Sequence, residues 1–124
     1  MKIGPNNKMP VIVDSEGPDG APISVFESGA ILLYLSEKTG RFYPTSPRER
    51  YAALQWLMFQ MGSAGPMLAQ THHFRQYAPE KIPYAIDRYT NETTRLYRVM
   101  DRRLSEAGYF AGKESTIVDI VGYP

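Results

Sequence analysis

Ile23-Ser24-Val25-Phe26-Glu27-Ser28-Gly29-Ala30-Ile31-Leu32-Leu33-Tyr34-Leu35 changes its period at Glu27. Before that residue, Ile23 to Phe26 form a short β-prone run. After it, Ile31, Leu32 and Leu35 fall on one face of a helix, which Lys38 and then Gly40 bring to its end. Upstream, Val11-Ile12-Val13 is a β-branched triplet, and Pro10 stands at its entrance, where a missing N–H costs least. Gly17-Pro18-Asp19-Gly20 supplies the turn between the two runs. The spacing predicts an antiparallel hairpin followed directly by a helix from Ser28 to Gly40.

Downstream the pattern is helical. Ser46-Pro47-Arg48-Glu49 combines the spacing of a capping box with proline at the first helical position. The helix it starts carries Leu54, Leu57, Met58 and Met61 at steps of three and four, while Gly62, Gly65 and Pro66 predict a bend before it runs on toward Phe74. Pro79 breaks it. A second long helix is predicted from about Pro83, with Ile86, Tyr89, Thr93, Leu96, Met100 and Leu104 as its apolar stripe and Gly108 at its end. Two such helices joined by a short proline-containing linker should pair antiparallel. Thr116-Ile117-Val118-Asp119 then offers another capping box and another helix start.

Composition narrows the class of activity. The chain has 124 residues, 14 Lys+Arg against 13 Asp+Glu, and 43% hydrophobic residues, as an ordinary globular domain would. Near-neutrality gives no field that would draw it onto nucleic acid or an anionic bilayer. The apolar stretch over residues 30–35 is far short of the roughly 20 residues that span a membrane, and residues 1–8 lack the apolar core of a secretory signal. The expected compartment is the cytoplasm. With no cysteine in the chain, redox chemistry at these residues has to use a thiol brought by a ligand.

Stand-alone catalytic sets are missing. Gly62-Ser63-Ala64-Gly65 lies inside a helical run and lacks the Lys-Ser of a phosphate loop. His72 and His73 are adjacent on a helix, so their side chains diverge by about 100° and do not share a metal, and no metal site is expected. Ser28, at the start of a helix, is either a plain cap or an anion contact, because the unpaired N–H groups and positive dipole end there favour a carboxylate. Beside it Glu27 is either a surface acid or the acceptor for a ligand ammonium group.

Asn6-Asn7-Lys8-Met9-Pro10-Val11-Ile12-Val13-Asp14, followed after a turn by Phe26-Glu27-Ser28-Gly29-Ala30-Ile31, resembles the glutathione-binding half of the glutathione transferase family. The resemblance continues through Gly65-Pro66-Met67-Leu68-Ala69-Gln70-Thr71-His72-His73-Phe74 and Ile82-Pro83-Tyr84-Ala85-Ile86 to the box at Thr116 and Asp119. The His-His-Phe and Ile-Pro-Tyr-Ala-Ile blocks are similar to the nu-class bacterial branch of glutathione-dependent disulfide-bond oxidoreductases.

This resemblance implies an α+β, mostly α chain: residues 1–42 as a partial thioredoxin-like domain made of a hairpin and a helix, and residues 43–124 as part of an all-α helical bundle domain. It implies glutathione as substrate or co-substrate, a small electrophile or disulfide as the other substrate, and a homodimer. Met9, ahead of a cis Pro10, would offer its backbone to the cysteinyl part of glutathione; Ser28 would face the γ-glutamyl carboxylate and Glu27 the ammonium group; and Arg88 would be a further contact. The family carries its thiol-activating residue in a βαβ unit that has no counterpart among the eight residues before Met9, so no catalytic residue is assigned. A reading from another class is a non-catalytic helical dimerisation or interaction module built on the helix pair.

Overall fold

The computed structural model describes residues 3–123. Strands β1 (Val11–Asp14) and β2 (Ile23–Phe26) form an antiparallel two-stranded sheet in which Val11 faces Phe26 and Asp14 faces Ile23. Helix α1 (Ser28–Thr39) follows and ends on Gly40, whose positive φ of 67° closes it with a bond from its N–H to the Ser36 carbonyl. The Met9–Pro10 bond is cis, as the resemblance implied.

The next helix begins at the expected place: α2 (Pro47–Phe59) has Ser46 as its cap, accepting from the Glu49 N–H. The expected bend takes a particular form. A π-helical turn at Gln60–Ala64 joins α2 to α3 (Gly65–His72), with the Gly65 N–H bonded to the Gln60 carbonyl. Pro66 has no N–H to give and its ring crowds the carbonyl one turn back, so widening the preceding turn accommodates it without breaking the rod. A second π turn at His73–Tyr77, which the sequence reading lacks, ends the arm. Helix α4 (Pro83–Ala107) returns along it, and α5 (Ile117–Gly122) follows a loop. Trp56 lies near Arg103, and Thr71 near Tyr89 and Thr93, so α4 runs antiparallel to the α2–α3 arm as expected.

The core lies where α2 meets α5. Ala53, Leu57, Phe110, Ala111, Ile117 and Val118 form one buried cluster, with Leu32 and Leu33 of α1 packed against it. Three residues of the expected stripes are not buried. Leu35, Met58 and Leu104 are exposed by 40%, 51% and 38%, while Ser36 and Ala53 take the buried positions. Which helical residues are buried is set by the neighbouring helix, and the stripes rotate by one position accordingly.

The hairpin is tied to α1 by a polar cluster. Asp14 accepts from the Lys38 ammonium group, from the Tyr34 hydroxyl at 2.6 Å and from the Glu16 N–H at 2.9 Å. The Lys38 partner foremost, then Tyr34 and Glu16, hold the Asp14 carboxyl at about 2. Asp14 in turn raises Lys38 and Tyr34 above their ordinary values. A carboxylate depressed in this way contributes stability that is complete above its unfolded value of about 4 and is lost as pH falls from there toward 2. Thermal melts across that window should therefore show a steeper acid loss for the wild type than for Asp14→Asn; parallel acid limbs would refute the tie.

Candidate functional site

The β1–β2 ladder ends where Val11 faces Phe26, so Met9 and Pro10 enter the hairpin at the end from which Glu27 and Ser28 leave it. Three of the four expected contacts thus flank one end of the hairpin. Met9 is 95% exposed. Glu27 is exposed and occupies the cap position of α1 with φ 71° and ψ 121°. A residue with a side chain costs about 1–3 kcal/mol in such a region, and held strain of this kind clusters at ligand sites. No residue type announces it, since glycine is the usual marker of positive φ.

Glu27, not Ser28, is the cap, and no side chain caps the helix. The first helical bond runs from the Ile31 N–H to the Glu27 carbonyl at 2.9 Å, so the N–H groups of Ser28, Gly29 and Ala30 precede any partner within the helix. The Ser28 hydroxyl instead donates to Met61 Sδ at 3.7 Å. Gly29 is buried because the arm passes close by: a Cβ there would lie 3.1 Å from Met61 Cγ and Sδ. Met61 is therefore a neighbour of the site that the sequence reading placed only in an apolar stripe; the signal that could have found it is the small residue beside Ser28.

Arg88 stands apart from these three. It is an exposed residue of the second turn of α4, and among the described residues no hydrogen bond or ion pair joins it to Met9, Glu27 or Ser28. Its field reaches Glu92 one turn on, whose carboxyl is held below the usual range mainly by hydrogen bonds from Arg95, and to a lesser degree by Arg88. His72 and His73 pack edgewise or tilted on Tyr77 and Phe74, and no three His, Asp or Glu side chains among the described residues group as metal ligands. A groove of about 600 Å³ between the segments around Phe42 and Lys113 is lined by none of the four expected residues. No helix among the described residues is long and apolar enough to cross a membrane.

A hairpin with a cis-proline entrance, a strained Glu-Ser junction and a helix, followed by an antiparallel helical pair, is the signature of a thioredoxin-like unit joined to an α-helical one. Comparison with known proteins shows what the chain is similar to. The chain is 54% identical over its whole length to disulfide-bond oxidoreductase YfcG of Escherichia coli, of which it covers 58%, and 42% identical to YghU of the same organism, of which it covers 42%. A glutathione transferase structure from Burkholderia graminis, with two glutathione molecules per subunit, superposes with a TM-score of 0.93 at 45% identity, over 96% of this chain and 50% of that one. No family model matches. The chain is similar over its whole length to these disulfide-bond oxidoreductases and glutathione transferases, and it spans about half the length of the relatives it matches.

Proposed function

We propose that this chain contributes the glutathione-binding part of a thiol–disulfide oxidoreductase, with Met9, Glu27, Ser28 and Arg88 as its contacts. The observation that carries the proposal is that α1 starts without a side-chain cap at the end of the hairpin which the exposed Met9 enters through a cis proline bond. The N–H groups at the tip of α1 suit a carboxylate, and Glu27 beside them suits an ammonium group, so together they match the two charges of an α-amino acid end. The Met9 backbone suits the rest of a peptide, by strand addition. Bound glutathione would supply the thiol that this cysteine-free stretch lacks, for exchange in which one S–S bond breaks as another forms.

The domain reading, residues 1–42 as the thioredoxin-like part and 43–124 as the helical part, belongs to this proposal and is supported by the connection between the end of α1 and Pro47. So do a small disulfide or electrophile as second substrate, in keeping with the names of the relatives, and a homodimeric whole and a cytoplasmic site of action. The thiol-activating residue is not assigned.

Calorimetric titration with reduced and oxidised glutathione tests the contacts. Ser28→Ala and Arg88→Ala should each weaken binding about tenfold or more, the loss of one hydrogen bond to a charged ligand group. Equal affinities for wild type and both variants would overturn the site. A chain that binds neither form but whose melting temperature rises with its own concentration would favour the helical interaction module instead.

A further inference from the structure

We infer that Thr71 is a positioning residue for Arg88, setting the register in which α4 presents that guanidinium to the glutathione groove. The inference rests on the reading of Arg88 as a glutathione contact. Thr71 Oγ1 lies 2.9 Å from the Tyr89 carbonyl oxygen and 2.7 Å from Thr93 Oγ1. With Thr93 donating to Thr71, the Thr71 proton is available to the Tyr89 carbonyl, or to that of Met67, also at 2.9 Å in its own helix. Among the described residues these are the side-chain hydrogen bonds that join the α2–α3 arm to α4.

Beside them Phe74 stacks on Tyr89 with 5.3 Å between ring centroids, the Arg103 guanidinium lies over the Trp56 ring, and Leu96 is fully buried. Apolar burial holds helices together but is non-directional, so it tolerates small slides along the axis. A hydrogen bond to one backbone carbonyl does not, because it weakens steeply outside a narrow range of distance and angle. The Tyr89 carbonyl is one residue from Arg88, so the bond acts on the stretch of backbone that carries the guanidinium.

The same arm reaches the other end of the site. Met61 touches Ser28, and Thr71, ten residues on, touches Tyr89. The arm thus touches both the helix tip that would hold one end of the ligand and the backbone next to the arginine that would hold another.

Four chains test this by calorimetry with glutathione: Thr71→Val, Thr71→Ser, Arg88→Ala and the double variant Thr71→Val/Arg88→Ala. Thr71→Val should weaken binding about fivefold, the loss of one net hydrogen bond, and Thr71→Ser, which keeps the hydroxyl, should restore it. In the Arg88→Ala background Thr71→Val should change nothing further. A ligand-independent measurement accompanies it: the chain has no cysteine, so spin labels on Ala30→Cys and Asn91→Cys, both exposed, report the distance from α1 to α4. Its distribution should be narrow in the wild type and widen in Thr71→Val. An equal loss of affinity with and without Arg88 would show general loosening and overturn the inference. Unchanged affinity together with an unchanged distance distribution would overturn it directly. Widened distances with an Arg88→Ala variant that binds normally would instead locate the failure in the Arg88 contact, and the inference would fall with it.

Discussion

Leu57→Ala should lower the free energy of unfolding by about 2–5 kcal/mol, the range for truncating a fully buried leucine whose site cannot collapse. Leu57 has no exposed surface and sits in the cluster of Ala53, Phe110, Ala111, Ile117 and Val118. A Cβ built on Gly29 would lie 3.8 Å from its Cδ1, so the tip of α1 rests on the same side chain. The cavity would therefore open where α1, α2 and α5 meet, with three separate elements needing to move together to fill it. For a chain whose total stability is of the order of 5–15 kcal/mol, that loss is a large part of the whole. Met58→Ala, one residue on and 51% exposed, should cost under about 1 kcal/mol, and Leu57→Met, which nearly conserves volume, under about 1.5 kcal/mol. Urea titrations of the three variants give the comparison. Similar losses at positions 57 and 58 would contradict the packing described.

Local signals in the sequence reached the structure largely intact. Gly40 and Gly108 end their helices with positive φ, Ser46 and Thr116 begin theirs, and the two β-prone runs pair across the turn they flank. Each of these rests on chemistry within a few residues. What was not legible depends on residues far apart in the chain. Asp14 meets Lys38 and Tyr34 only once the hairpin folds over α1, and Ser28 meets Met61 only once the arm packs on the helix tip.

The π turns fall between these cases. Gly65 and Pro66 announced an irregularity, but whether it becomes a kink or a widened turn is decided by the helix packed alongside. At the candidate site Glu27, Ser28 and Met9 could be grouped by pattern. Their shared end of the hairpin follows from a register that the sequence sets through its turn. Glu27's backbone strain had no glycine to announce it, and the route from Thr71 to Arg88 crosses between helices, where periodicity carries no information.

Asp119→Ala should cost about 3 kcal/mol or more, because one side chain serves two parts of the fold. Its Oδ2 accepts from the Thr116 N–H at 2.8 Å and from the Thr116 hydroxyl at 3.1 Å, which closes the capping box of α5. Its Oδ1 accepts from the Phe110 N–H at 3.0 Å, in the loop that leads back from α4. Thr116 and Phe110 are 5% and 7% exposed, so water cannot easily replace the lost partner, and each orphaned N–H costs about 1–3 kcal/mol. Helix α5 has six residues, too few to persist on propensity alone, so it depends on this cap and on the burial of Ile117 and Val118. Amide hydrogen exchange at Phe110 and Thr116 should accelerate more than at Leu96, which is distant from the cap. Because Ile117 and Val118 pack on Leu57, the loss in the double variant Leu57→Ala/Asp119→Ala should fall short of the sum of the two single losses by about 0.5 kcal/mol or more, on the order of coupling between residues that share a packed element. Strict additivity, or a loss under about 1 kcal/mol for Asp119→Ala alone, would mean that α5 is held by something other than its cap.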